Sequence, residues 1–123
     1  MDREKLNYLN WSDFDSPDVE GSGAMFMEYE PVAILETMIY MNRNMSLDIT
    51  RAFLSKTCAD KLHLPSNDSH RLGKAITLRV VGKKKRLKVI KTLIELGVTR
   101  IKVSDKEVYF DTDEFKDDMF VLY

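Results

Sequence analysis

The stretch AITLRVVGKKKRLKVIKTLIELG, residues 75–97, decides the fold. Its first seven residues place apolar side chains at every second position, which predicts a strand over 75–81 with one apolar face. Apolar residues then recur at helical spacing, which predicts a helix over 83–96 that Gly97 ends as a left-handed cap. A strand followed directly by a helix with an apolar stripe indicates that the helix covers the sheet to which the strand belongs.

Outward from this stretch, the pattern predicts a second helix and several short strands. Pro31 suits the first turn of a helix, and apolar residues continue at helical spacing to about Arg43. The order helix, strand, long loop, strand, helix, strand, strand is typical of an α+β fold, here a small antiparallel sheet with two main helices. The other predicted elements are strand 47–53, loop 55–70, a hairpin of strands 100–104 and 108–111, and an edge strand 119–123.

The N-terminal residues 1–23 are predicted to form an irregular arm of a single domain that spans 1–123. Trp11, Phe14 and Val19 are apolar positions among turn-forming residues. We expect these three side chains to hold the arm against the body of the domain.

Composition limits the classes of function. The 123 residues include 19 Lys and Arg against 20 Asp and Glu, which argues against a general polycation for nucleic acid. A single cysteine, Cys58, excludes an intramolecular disulfide. The first ten residues lack the apolar core of a signal peptide, and no apolar run approaches the ~20 residues that cross a bilayer, so neither kind of segment is expected.

Charge is nevertheless uneven along the chain, with acids concentrated in residues 1–30 and bases in 83–91. The helical period places three of these lysines on one face, opposite an apolar face of Leu87, Ile90 and Ile94. This basic face is either solvated or a patch for phosphate groups or an acidic protein surface. The basic residues are Lys83, Lys84, Lys85, Arg86, Lys88 and Lys91.

Residues 69–75, SHRLGKA, resemble the Ser-His-x-x-Gly-x-Ala segment of the zinc D-alanyl-D-alanine carboxypeptidases, which belong with the hedgehog-type peptidases and include small phage endolysins. Residues 11–17, WSDFDSP, and 21–23, GSG, resemble the opening segment of short phage members. Residues 53–55 stand where that family has a Gly-Tyr-Arg-Ser turn, and 108–111 where it has a closing His-x-Asp strand. The resemblance covers almost the whole chain.

The resemblance implies an antiparallel sheet with helices on one side and a zinc cleft on the other. It also implies three zinc ligands, a general base and an arginine for the substrate carboxylate. His70 stands at the first ligand, Thr77 at the ligand aspartate and Tyr109 at the second histidine. Lys106 replaces the general base, and Leu54 replaces the arginine.

These replacements remove the implied chemistry. A catalytic zinc needs about three protein ligands, whereas threonine is a neutral hydroxyl and tyrosine is mostly protonated at neutral pH. Asp111 is the remaining part of the closing motif. Metal binding by His70 with Asp111 stays open as an alternative, and His70 bonded to backbone is the structural interpretation. The other residues considered for a relocated metal site are His63, Asp68, Glu107 and Asp113.

The sequence therefore predicts a catalytically inactive peptidase-fold module that acts through protein contacts, as a capsid- or tail-associated component of a phage virion. Its expected partners are other virion subunits or copies of itself, in the virion or the host cytoplasm, with no cofactor, metal or membrane. The alternatives are a divergent zinc peptidoglycan peptidase and a binder of cell-wall peptides. Binding of nucleic acid through the basic helix is a further hypothesis.

Overall fold

A five-stranded sheet in the order β1-β2-β4-β3-β5 carries the fold. The computed structural model describes residues 3–123. Its strands are β1 (Asp48–Arg51), β2 (Ala75–Arg79), β3 (Arg100–Val103), β4 (Glu107–Asp111) and β5 (Met119–Leu122). Its helices are α1 (Ser22–Phe26), α2 (Tyr29–Met41), α3 (Lys56–Lys61) and α4 (Lys83–Glu95), preceded by a 3-10 turn (Trp11–Phe14).

The predicted α+β class is confirmed, and α2 and α4 are the two long helices. The predicted long loop 55–70 contains α3, whose first turn is capped by the Ser55 hydroxyl accepting from the Cys58 N–H. Helix α4 connects β2 to β3, and β4 fills the place between these two strands, antiparallel to both.

The prediction of an antiparallel sheet is wrong for the last strand, because β5 pairs parallel to β3. β4 ends at Asp111, at the same end of the sheet where β3 begins with Arg100. The short segment 112–118 stays at that end, so β5 starts beside the start of β3. A strand that leaves from there runs opposite to β4 and therefore in the direction of β3.

Alternation along the strands separates a helix-covered face from an open face. Ile76, Leu78, Val108 and Phe110 are fully buried against the helices, whereas Thr77 and Tyr109 pair on the open face. Residues from α2 and α4 complete the core; they include Val32, Leu35, Met38, Val89 and Leu93.

The predicted orientation of α4 is wrong for Leu87 and Ile94, whereas Ile90 packs against the core as expected. The core face of the helix is formed by Val89 and Leu93, whereas Leu87 is 67% exposed and Ile94 is 56% exposed. The sequence offers two apolar stripes on this helix, and the sheet covers the one that contains Val89. The exposed lysines therefore share their surface with apolar side chains instead of lying opposite them.

The predicted arm 1–23 lies against its own domain, although Met1 and Asp2 are outside the described residues. Phe14 is fully buried and its carbonyl accepts from the Phe53 N–H, whereas Val19 is 40% exposed and does not anchor the arm as expected. Further along the chain, the Glu36 carboxylate accepts from the backbone N–H groups of residues 7, 8 and 9. Within residues 3–123, no helix has the length and apolarity to cross a bilayer.

Candidate functional site

A cavity of about 330 Å³ opens on the uncovered face of the sheet. We call it the cleft. Strands β1 to β4 supply its floor, and the loop that leads into β2 forms one wall. The residues that line it are Thr50, Arg51, Leu64, Asp68, His70, Thr77, Lys102, Ser104, Glu107, Tyr109 and Tyr123.

His70 is held on two sides at the base of the cleft and is only 3% exposed. Its Nδ1 lies 2.7 Å from the Ala52 carbonyl oxygen, and its Nε2 lies 3.1 Å from Thr77 Oγ1. Because a carbonyl only accepts, Nδ1 carries the proton, and Nε2 accepts from the threonine hydroxyl. The Tyr109 ring packs edge-on against the imidazole, with centroids 5.4 Å apart.

Burial lowers the pKa of His70 from 6.5 to about 4, and the nearby Arg51 guanidinium acts in the same direction. The hydrogen bond to Ala52 opposes this shift without cancelling it. The imidazole is therefore neutral at physiological pH, with both nitrogens already bonded within the fold.

A chain of hydrogen bonds continues from Tyr109 along β4. Its hydroxyl donates to Asp111 Oδ2 at 2.5 Å, and Arg100 Nε donates to Asp111 Oδ1 at 2.8 Å. Burial raises the pKa of Tyr109, and the Asp111 carboxylate raises it further. The phenol therefore keeps its proton, and both carboxylate oxygens of Asp111 accept hydrogen bonds, one from Arg100 and one from Tyr109.

A second buried network joins the loop before His70 to the segment after β4. Ser69 Oγ donates to Asp113 Oδ2 at 3.0 Å, and Lys116 Nζ lies 3.1 Å from the same carboxylate. Burial acts to raise the pKa of Asp113, but the hydrogen bonds from Lys116 and Ser69 outweigh it, so that the pKa is lowered. These contacts use the polar groups around the site to hold two chain segments together.

Four of the six predicted active-site positions come together. Thr77 pairs directly with Tyr109 across β2 and β4, His70 contacts both, and Asp111 bonds the tyrosine hydroxyl. The other two predicted positions, Leu54 and Lys106, do not reach the cleft.

Leu54 is 3% exposed, and its N–H donates to the His70 carbonyl, so its side chain belongs to the interior. Lys106 lies in the exposed turn between β3 and β4, where its carbonyl accepts from the Val80 N–H. Leu54 and Lys106, expected at the arginine and general-base positions, therefore do not line the cleft.

Two cations that the sequence reasoning missed do line the cleft. Arg51 pairs with Thr77, and Lys102 pairs with Tyr109, with its ammonium 5.0 Å from the tyrosine ring centroid. Both residues lie in predicted strands, so the register between neighbouring strands is the signal that would have found them.

The residues present do not fit a catalytic zinc. His70 has no free nitrogen, Thr77 offers a neutral hydroxyl, and the Tyr109 phenol is held protonated. Within residues 3–123, no three His, Cys, Asp or Glu side chains lie where they could share a metal ion.

The other residues considered for a relocated metal site lie apart from one another or already form hydrogen bonds within the fold. His63 is exposed in a turn with φ 58°. Asp68 accepts from the His70 N–H, and Asp113 belongs to the Ser69 network. Glu107 lies at the cleft rim, 3.4 Å from the Thr50 hydroxyl. Cys58 is half-buried in α3.

The basic patch predicted from sequence lies on α4, on the helix side of the sheet and away from the cleft. Lys83, Lys84, Lys88 and Lys91 are exposed, whereas Lys85 and Arg86 are half-buried. Arg86 is used within the fold, because its Nη1 donates to the Asp105 carbonyl at 2.6 Å.

Comparison with protein-family models finds no match to this chain, and comparison with curated proteins finds none either. The chemistry of the cleft and of the exposed surfaces therefore carries the functional proposals.

Proposed function

We propose that this chain is a non-catalytic protein-interaction module on a peptidase-like sheet, and a structural component of a phage particle. The observation that carries the first part is His70, whose two ring nitrogens are bonded to Ala52 and Thr77. An imidazole in this state neither ligates a metal nor exchanges a proton with a substrate, since both tasks need a free nitrogen.

The surrounding groups support the same proposal. Hydrolysis by the zinc peptidase family that this chain resembles depends on water activated by zinc and on a nearby base. Here Tyr109 and Thr77 close the position of the metal with hydroxyl groups, and Asp111 is committed to Arg100. The polar groups of the former site then act as a structural network that fixes the loop 67–70 against β2 and β4.

The assignment to a phage particle rests on the resemblance of residues 11–17 and 21–23 to short phage members. Protein contacts fit the exposed surfaces, because apolar side chains as large as Leu87, Phe120 and Leu122 are more than half exposed. We assign the function to these outer surfaces.

Rebuilding the ligand set tests this proposal. Thr77→Asp with Tyr109→His restores an acid and an imidazole beside His70, at positions that already pair across β2 and β4. The matched control, Arg79→Asp with Glu107→His, changes the next pair on the same open face. After dialysis against zinc and then buffer, we expect about one zinc per chain in the rebuilt variant, and none in the wild type or the control. Stoichiometric zinc in the wild type, or hydrolysis of a peptide that ends in D-alanyl-D-alanine, contradicts the proposal.

A second candidate, a binder of cell-wall peptides, is favoured by Arg51. Its guanidinium lines the cleft beside His70, and Lys102 lies on the same floor. Two cations in one cavity suit a carboxylate, which arginine can bind with two parallel hydrogen bonds.

Calorimetric titration separates the two candidates. For a peptide-binding cleft, a peptide ending in a free D-alanyl-D-alanine carboxylate binds the wild type, its C-terminal amide does not, and Arg51→Gln loses the binding. Arg79→Gln is the matched control, since this exposed arginine is on the same face outside the cleft. Absence of binding to the carboxylate peptide rejects this second candidate.

A further inference from the structure

The outer edge of β5 presents backbone groups that no strand of residues 3–123 pairs with. The Met119 N–H donates to the Thr99 carbonyl at 2.9 Å, and the Tyr123 N–H donates to the Val103 carbonyl at 2.8 Å. Because peptide groups alternate direction along a strand, the N–H and C=O groups of Phe120 and Leu122 point away from β3. They form a free ladder of donors and acceptors.

The side chains of this edge are apolar and exposed on the helix side of the sheet. Phe120 pairs with the buried Ile101, and Leu122 pairs with the buried Val103, so all four point to the same face. Yet Phe120 is 55% exposed and Leu122 is 69% exposed, because the helices end short of β5.

Helix α4 extends this apolar surface. Arg86 donates to the Asp105 carbonyl just beyond β3, so the flank of α4 that carries Arg86 faces the β3–β5 side of the sheet. Ile94 lies two turns further along the same ridge. Leu87 instead lines a cavity with Met41 and Asn42 of α2, on the other flank. We call the exposed residues Ile94, Phe120 and Leu122 the edge surface.

The two edges of the sheet differ in protection. The opposite edge, β1, carries Asp48 and Arg51, and its pairing with β2 is interrupted by a register shift, features that blunt strand addition. β5 carries no charge and no proline between Met119 and Leu122. An unprotected apolar edge is a template for pairing with another strand.

Charged side chains near the two ends of the edge surface favour one orientation of a second copy. Lys83 begins α4 on the flank that carries Arg86, beside the end of β3 and therefore towards the end of β5, since β3 and β5 are parallel. Lys84 follows it on the side of the helix that faces α2. Asp117 and Asp118 precede the start of β5 and are exposed. A second copy that pairs antiparallel through β5 brings the lysines of one chain towards the aspartates of the other. A parallel arrangement would bring like charges together.

We propose that two copies of this chain associate through β5 about a two-fold axis, forming one continuous sheet and burying both edge surfaces. Identical strands pair antiparallel by such an axis, which makes the contact closed instead of open-ended. This inference deepens the proposed function by naming a partner, and it concerns a surface remote from the cleft. Zinc binding or hydrolysis would therefore overturn the proposed function without affecting the dimer.

Sedimentation velocity on the full chain tests the association. We expect the wild type to reach twice the 14.3 kDa chain mass as its concentration rises. We expect Leu122→Lys to stay monomeric at concentrations at least tenfold above the midpoint of wild-type dimerisation. Tyr40→Lys is the matched control, because Tyr40 is 72% exposed on α2, which borders the other flank of α4 through the Asn42–Thr92 contact. A wild type that stays monomeric, or a Leu122→Lys variant that still dimerises, overturns the proposal.

Charge exchange tests the orientation. Lys83→Glu with Lys84→Glu makes both ends acidic, and Asp117→Lys with Asp118→Lys makes both ends basic. We expect each variant alone to dimerise at least tenfold more weakly than the wild type, and an equimolar mixture to recover the association. Recovery should weaken as salt increases. If the equimolar mixture of the two variants dimerises no more strongly than each variant alone, the antiparallel arrangement is overturned.

Discussion

Replacing His70 with asparagine should remove much of the pH dependence of folding between about pH 7.5 and about pH 4.5. Asparagine is uncharged throughout this range, and its side-chain amide can still donate to the Ala52 carbonyl that holds the imidazole. The variant loses the contact with Thr77 and some packing, so it should be less stable at every pH.

The magnitude follows from the two pKa values of the imidazole. The folded state holds the pKa at about 4, against 6.5 in an unfolded chain, so protonation favours unfolding. The stabilisation is fully present above pH 6.5 and is lost as the pH falls towards 4. Between about pH 7.5 and about pH 4.5, linkage gives a loss of about 2–3 kcal/mol for the wild type. This is a large part of the stability of an ordinary small domain.

Urea unfolding at several pH values measures this effect. As the pH falls, the free energy of unfolding should decrease about 2–3 kcal/mol further in the wild type than in His70→Asn. Groups such as Asp113 titrate in both proteins and cancel in the comparison. His63→Asn is the matched control, since His63 is exposed and should leave the wild-type profile unchanged. Parallel profiles for the wild type and His70→Asn would refute the locked, neutral imidazole.

Three further predictions concern packing and hydrogen bonds. Gly73→Ala should lower the free energy of unfolding in urea by about 3 kcal/mol or more, because φ is +70° and the added Cβ would overlap the Phe26 carbonyl. Gly97→Ala, where the Cβ would enter open space, should lower it by only about 1–2 kcal/mol. Tyr109→Phe should cost about 1.5–3 kcal/mol, because it removes the hydroxyl that donates to a buried carboxylate; an unchanged midpoint would contradict the network. Glu36→Gln should speed hydrogen exchange at the amides of residues 7–9, with no change in the exchange of β4.

The local elements of this fold could be predicted from the sequence because their signals are local. The helix predicted over 83–96 is Lys83–Glu95, and the strand predicted over 75–81 is Ala75–Arg79. Alternation and helical spacing depend only on neighbouring residues, and Gly97 has the positive φ that ends α4.

The predictions that were wrong concern features that depend on contacts between residues distant in the sequence. Helix α4 has two apolar stripes, and only the position of the sheet determines that Val89 is covered and Leu87 is not. The direction of β5 depends on where the segment 112–118 leaves it, which no local pattern reports.

The candidate site was predicted in part for the same reason. His70, Thr77 and Tyr109 meet because alternation places Thr77 and Tyr109 on one face and pairs them across two strands. Lys106 and Leu54 do not reach the cleft, because Lys106 lies in a turn and Leu54 follows the end of β1. The register shift between Ile49 and Arg51 interrupts the alternation along β1, so alternation alone did not place Arg51 at the cleft.

The middle position of β4 in the sheet affects how the chain can be synthesised and folded. β2 and β3 are made first, but they are neighbours of β4 and not of each other, so neither can complete its pairing until residues 107–111 have left the ribosome. Until then, the core between the helices and the sheet lacks Val108 and Phe110, the buried side chains of β4. We infer that folding waits until residues 107–111 have been synthesised, and that a chain truncated before Glu107 exposes unpaired edges and is a substrate for chaperones and proteases.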